Sequence, residues 1–176
     1  MVEIAASHDI GLAAREGTKK KIALQAVRGR SPCGLEYSIE AALSSPQNHP
    51  FSNVANALCM IGEVKYEEDM GAAVLKTDKG RATVFANGHI MVIAGKEEAN
   101  ELLQNVVEVI LRVELCTKCG ICIKNCSQGA ITVQDTLIVD QHRCNRCGKC
   151  GRGCIALDEG RKIWKRLQMQ AEGASR

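Results

Sequence analysis

The chain has 176 residues, of which 45% are apolar, 24% charged and 3% aromatic, and its formal net charge is +3. This composition is typical of a globular protein with one ordinary or two small domains, and it excludes a disordered tail and a coiled coil. The longest apolar stretch is interrupted by polar residues, whereas a membrane span needs about 20 mostly apolar residues. The N-terminus lacks the basic start and apolar core of a secretion signal. We therefore expect a cytoplasmic protein with no membrane span.

Charge is divided unevenly along the chain. Residues 1–115 carry 12 basic and 15 acidic side chains, whereas residues 116–176 carry 11 basic and 5 acidic ones. The first part is therefore net negative and the second net positive. This asymmetry predicts two parts with different electrostatic surfaces.

The first 60 residues predict an arm, a strand and two helices. We expect residues 1–20, which are polar and contain two glycines, to form an arm or a short helix. Alternating polarity predicts a strand over residues 21–27. Apolar residues at four-residue spacing predict helices over residues 33–43 and 51–61. In the first helix these apolar residues are Leu35, Ile39 and Leu43.

The next stretch predicts an antiparallel meander closed by a helix. Four short strands are expected at residues 63–66, 72–76, 82–86 and 90–94. Asn87 and Gly88 stand between the last two, and Asn-Gly between strand-like runs is a strong hairpin signal. A helical stripe of apolar residues then leads up to Val113. We assign residues 21–113 to a small α+β docking domain.

Eight of the ten cysteines lie in two runs with identical spacing. In a cytoplasmic chain, so many cysteines favour metal binding over disulfides. Both runs have the spacing C-x2-C-x2-C-x3-C and repeat with a period of 28 residues. The first run comprises Cys116, Cys119, Cys122 and Cys126, and the second comprises Cys144, Cys147, Cys150 and Cys154.

This spacing predicts two [4Fe–4S] clusters. Three closely spaced cysteines place three thiolates at three corners of an iron–sulfur cube, and in two-cluster proteins the fourth cysteine of each run ligates the other cluster. The first cluster is therefore assigned to Cys116, Cys119, Cys122 and Cys154. The second is assigned to Cys144, Cys147, Cys150 and Cys126. Zinc is the alternative, although zinc sites usually use two cysteine pairs rather than repeated triplets.

Residues 116–154 resemble the bacterial-type two-cluster ferredoxin. The similarity extends to Gly129-Ala130-Ile131 after the first run and to Val139-Asp140 before the second. It implies a β-hairpin from each half and a short helix after each fourth cysteine. The sequence departs from the family in having Ser127 and Ile155 where the family has proline. We assign residues 114–158 to this ferredoxin-like 2[4Fe–4S] domain.

A second resemblance covers residues 62–154, where a strand-rich piece and a helix run directly into the first cysteine. This arrangement is similar to the C-terminal part of archaeal phosphoadenosine-phosphosulfate-reductase-like proteins of methanogens. The chain has no phosphate loop of the Ser-Gly-Gly-Lys-Asp type, so sulfate-reductase activity is not implied. The resemblance implies a small α+β domain fused to an electron-transfer module in an anaerobic archaeon.

The residues after the second run predict an amphipathic closing helix and tail over residues 159–176. Its basic residues flank Ile163, Trp164 and Leu167, whose apolar side is expected to pack on the ferredoxin module. Cys33 and Cys59 have no spaced partners. We interpret both as buried structural cysteines, although the setting of Cys33 at a predicted helix start leaves a redox role open.

These features predict a non-catalytic electron-transfer protein or subunit with two [4Fe–4S] clusters, because no general base, nucleophile or open metal site stands out. It would relay single electrons to or from a larger redox enzyme. The cysteine module carries six basic and two acidic residues. We expect this basic face to dock on an acidic protein partner in a stable complex, or else simply to compensate the anionic clusters. No small-molecule substrate is indicated.

Two alternative functions are also compatible with the sequence. A nucleic-acid-associated or regulatory iron–sulfur protein would use a basic stretch near the N-terminus, but the scarcity of aromatics argues against nucleic acid. An oxidoreductase in its own right would use Cys33 or Cys59.

Overall fold

The computed structural model describes residues 3–9, 21–30, 37–44 and 49–173, with side chains for residues 37–44 and 49–166. This part of the chain has mixed α/β structure with an antiparallel sheet and four helices, as the predicted α+β class requires. The strands are β1 (Glu3–Asp9), β2 (Lys21–Arg30), β3 (Tyr37–Ser44), β4 (Glu63–Glu67), β5 (Ala72–Lys76), β6 (Gly80–Phe85), β7 (His89–Ala94), β8 (Ile131–Val133) and β9 (Leu137–Val139). The helices are α1 (Phe51–Ala57), α2 (Glu98–Glu114), α3 (Ile121–Asn125) and α4 (Ile155–Gly173), and 3₁₀ turns occupy Leu58–Met60 and Lys149–Gly151.

The main sheet has the strand order β1-β2-β3-β7-β6-β5-β4, with every neighbouring pair antiparallel. Strands β4 to β7 form the predicted meander, and β3 joins it by pairing with β7. The two short strands β8 and β9 form a separate hairpin between the cysteine runs. The sheet therefore belongs to the first part of the chain, and the cysteine module contributes only this small hairpin.

The predicted Asn-Gly hairpin is confirmed between β6 and β7. The Gly88 N–H donates to the Phe85 carbonyl at 2.9 Å, and the Asn87 side chain accepts from the His89 N–H at 3.0 Å. Gly88 has a φ of 86°, whereas Asn87 has no positive φ. This is the pattern of a type I turn followed by a left-handed residue, not of a two-residue type I′ turn.

One face of the sheet forms the hydrophobic core. Alternate residues of β3, β6 and β7 are buried, because successive side chains of a strand point to opposite faces. Helices α1 and α2 pack on the sheet, and their buried residues belong to the same cluster as those of the strands. This core also includes Ile131, Leu137 and Val139 of the cysteine module. It therefore continues across the predicted boundary at residue 113.

The second half of α2 is buried on nearly all sides, because the sheet lies against one side and α4 against another. Gly160 of α4 lies against α2, and a Cβ there would be 3.3 Å from the Leu111 Cβ. Glu108 is 7% exposed. It accepts from Gln104 at 2.7 Å and pairs with Arg161 at 3.2 Å. The buried carboxylate is thus partnered from both helices, as a charge in the interior must be.

Two predictions near the N-terminus are wrong. Part of residues 33–43 is the strand β3 rather than a helix, and part of the 1–20 arm is the strand β1. A spacing of four is compatible with both structures, since residues i and i+4 share a face in a helix and in a strand. The alternating burial of Ile39, Ala41 and Leu43 shows the strand period. Residues 10–20 and 31–36 lie outside the described part of the chain.

Three details of the predicted cysteine module also differ. The described module contains one β-hairpin rather than one from each half, and no helix follows Cys126, whereas α4 does follow Cys154. The closing helix begins at Ile155, not at residue 159. Its first turn borders the module through Ala156, but the helix then lies along α2. Ile163 and Trp164 are buried there. No described helix is long and apolar enough to cross a membrane.

We predict that Gly88→Ala destabilises the fold. An alanine Cβ would clash with the Leu43 carbonyl oxygen, and the left-handed backbone alone costs about 1–2 kcal/mol for a non-glycine residue. Gly71→Ala is the matched control, because Gly71 also has a positive φ but its Cβ would meet only the Ala86 Cβ, at 3.3 Å. Denaturant unfolding should show a larger loss for Gly88→Ala. Equal losses would contradict the contact with β3.

Candidate metal centre

The two cysteine runs form loops with matching backbone geometry. Lys118 and Arg146, at equivalent positions, have left-handed φ values of 58° and 57°. The glycines two residues later, Gly120 and Gly148, have φ values of 74° and 69°. Non-glycine residues seldom adopt this region, so its occurrence at both positions shows that the sequence repeat is also a structural repeat.

The first cavity is lined by Cys116, Cys119, Cys122 and Cys154. Three of these cysteines come from the first run and one from the end of the second. Arg112 and apolar side chains of the β8–β9 hairpin and α4 complete the lining. These four cysteines are the set that the spacing predicts for the first cluster.

The second cavity is lined by Cys126, Cys144, Cys147 and Cys150. Here the first run contributes one cysteine and the second contributes three. Met60, from the 3₁₀ turn after α1, also lines it. These cysteines are the set predicted for the second cluster, so the structure brings each predicted set of four together around one cavity.

The donor atoms of both cavities suit a soft, multi-atom metal group. Neither cavity is lined by a histidine or a carboxylate, and thiolates favour iron–sulfur clusters and zinc over hard cations. Within the described residues, no three His, Cys, Asp or Glu side chains are close enough to hold one metal ion. The four cysteines of each set instead line one cavity.

The surroundings of individual thiols differ within each set. The backbone N–H of Ile121 lowers the pKa of the exposed Cys119 thiol, whereas burial raises the pKa of Cys122. The Ala130 N–H donates to the Cys126 sulfur at 3.3 Å. Hydrogen bonds to sulfur and solvent exposure are two of the factors that determine the potential of an iron–sulfur cluster.

Arg112 is a buried cation that sequence reasoning missed. It lies in the last turn of α2, four residues before Cys116, and is 5% exposed. One guanidinium nitrogen donates to the Cys150 carbonyl at 2.7 Å, and the other lies 3.5 Å from the Cys150 sulfur. The sequence signal is faint, because it consists of one basic residue near the end of an apolar helix.

Of the two cysteines outside the runs, the structure describes only Cys59. Cys59 is buried, as predicted, but it lies beside Cys144. Burial and this neighbouring thiol raise the pKa of Cys59 to about 12, so it stays protonated at neutral pH. Cys33 lies outside the described residues. The nine cysteines that the structure describes are all free of disulfides.

The module is joined to α2 by buried hydrogen bonds as well as by the shared core. The Thr136 hydroxyl, in the turn between β8 and β9, donates to the Val113 carbonyl at 2.6 Å. Together with the Arg112 contacts to Cys150, this bond attaches the module at two points to the last turn of α2. The orientation of both cavities is thus determined relative to the preceding domain.

Comparison with protein families, curated proteins and solved structures gave no match for this chain.

Proposed function

We propose that this protein carries two [4Fe–4S] clusters and transfers single electrons to or from a larger redox enzyme. The observation that supports this most directly is the exchange of the fourth cysteine, since each cavity takes three thiols from one run and one from the other. This exchange is the ligand pattern of two-cluster proteins. When bound, the clusters would supply one-electron oxidation and reduction.

The protein groups around the cavities suit this role. Cys119 and Cys147 are exposed, whereas Cys122 and Cys154 are buried, so each loop reaches the surface at one cysteine. Electrons can therefore enter and leave without a deep path through protein. Most of the other cysteines pack against the apolar core, and the Ala130 N–H donates to the Cys126 sulfur.

A surface beside the first cavity supports docking of an acidic protein partner. Ile123 and Ile155 are 44% and 52% exposed, and each directly follows a cysteine of that cavity. Lys124 and Arg152 are exposed beside them, and the Asn125 side chain donates to the Arg152 carbonyl at 2.8 Å, which joins the two segments. Exposed apolar side chains beside cations suit a partner surface that has an apolar patch bordered by acidic residues.

Anaerobically purified protein should contain about eight irons per chain, four in each cube. Chemical iron analysis and the visible absorption spectrum measure this directly. The Cys59→Ser variant is the control, because Cys59 lies outside both predicted ligand sets and should be dispensable for iron. Stoichiometric zinc in place of iron would contradict the proposal.

The exchange of ligands predicts which cluster each substitution disturbs. Cys126→Ser should alter the EPR signal that Cys147→Ser also alters, because Cys126 and Cys147 line the same cavity. Cys154→Ser should instead match Cys119→Ser. The exposed Cys119 and Cys147 serve as references for the two signals. If Cys126→Ser resembles Cys119→Ser, each run holds its own cluster and the exchange is wrong.

Charge reversal beside Ile123 and Ile155 should weaken capture of the partner. The full chain with Lys124→Glu and Arg152→Glu should retain less of the redox partner from an anaerobic host extract than the wild type, because attraction between opposite charges is lost. The wild-type complex should also weaken at high salt. Lys65→Glu with Lys76→Glu, on exposed positions of β4 and β5, is the charge-matched control.

Equal loss with both double variants would show that overall charge, not this surface, governs association. Retention of nucleic acid in place of a protein would favour the regulatory alternative.

A further inference from the structure

Arg112 differs from the other cations of the cysteine module in being buried without a carboxylate. Among the residues that the structure describes, no Asp or Glu forms an ion pair with it. A buried charge is costly unless anionic or hydrogen-bonding groups compensate it. The groups that surround this guanidinium are instead sulfur atoms and a backbone carbonyl.

The contacts of Arg112 reach both predicted ligand sets. One guanidinium nitrogen lies 3.5 Å from the Cys150 sulfur of the second set and 3.3 Å from the Met60 sulfur. The side chain also lines the first cavity, together with Cys154. An arginine guanidinium is not deprotonated in proteins, so a positive charge lies beside both cavities.

One donor of this guanidinium is still unused. The Arg112 Nε–H is buried and has no hydrogen-bond acceptor among the described residues. A buried donor without an acceptor is rare in proteins, and a bound water, ion or other group is one way in which it is satisfied. The thiolates and sulfides of anionic clusters on either side are acceptors of this kind.

We propose that Arg112 is a counter-ion shared by both clusters and that it raises the reduction potential of each. This inference rests on the proposed function. A cation next to a cluster favours the reduced state, which carries one more negative charge, and net charge and hydrogen bonds to sulfur are established determinants of cluster potential. Because Arg112 is buried, water and salt screen it far less than they screen the exposed cations.

Redox titration of the full chain followed by EPR tests the proposal. Arg112→Gln should retain about eight irons per chain while both midpoint potentials become more negative. We expect at least a tenfold change in each reduction equilibrium, or about 59 mV for one electron. Lys124→Gln, which removes an exposed cation between two cysteines of the first run, is the matched control and should shift the potentials much less.

Arg112→Lys keeps the positive charge of the side chain but changes the geometry of its hydrogen bonds. It should keep the iron and most of the potential while altering both EPR signals, because a lysine lacks the planar fork of donors. If Arg112→Gln loses iron, the potentials and EPR signals of Arg112→Lys alone test the proposal. The shared role is wrong if the potentials do not change, if they shift no more than in Lys124→Gln, or if only one cluster changes. Loss of iron from Arg112→Lys would also overturn it. Wild-type protein without iron would instead refute the proposed function.

Discussion

The exchange of one cysteine between the two runs constrains the whole C-terminal module. Because Cys126 reaches the cavity of the second run and Cys154 that of the first, neither loop can take up its position without the other. The helix α3 accordingly lies against the Lys149–Gly151 turn, and the hydrogen bond from Asn125 to the Arg152 carbonyl joins the two segments. The left-handed positions in each loop follow from this need to curl three thiols around one space.

The helix α2 transmits this constraint to the rest of the chain. Its middle packs on the sheet, and its last turn holds the module through Val113 and Arg112. The module therefore follows a buried helix directly, and no linker separates the two. A metal group in the cavities would bind deprotonated thiols, and these thiolates would supply negative charge beside the buried Arg112. Loading of the cavities would therefore stabilise this junction.

The structure places around each cavity the four cysteines that the doubled spacing assigned to one cluster. Sequence reasoning also predicted the β6–β7 hairpin from the Asn87-Gly88 pair. It failed at residues 33–43, because apolar residues four apart satisfy both a helix and a strand. Pairing of β3 with both β2 and β7 decides between them. Arg112 could not be recognised for a similar reason, since its neighbours Met60 and Cys150 are distant in sequence and meet it only after folding.

The charge of the chain acts differently at the surface and in the interior. The net positive charge of residues 116–176 arises mostly from exposed side chains, which water and salt screen within about 8–10 Å. These cations influence association with a partner more than the electronic state of a buried group. Arg112 contributes a single charge to the sum, but it lies in contact with a cysteine of one cavity and lines the other. Composition therefore describes the surface charge of this protein, whereas the buried Arg112 places one positive charge beside both cysteine cavities.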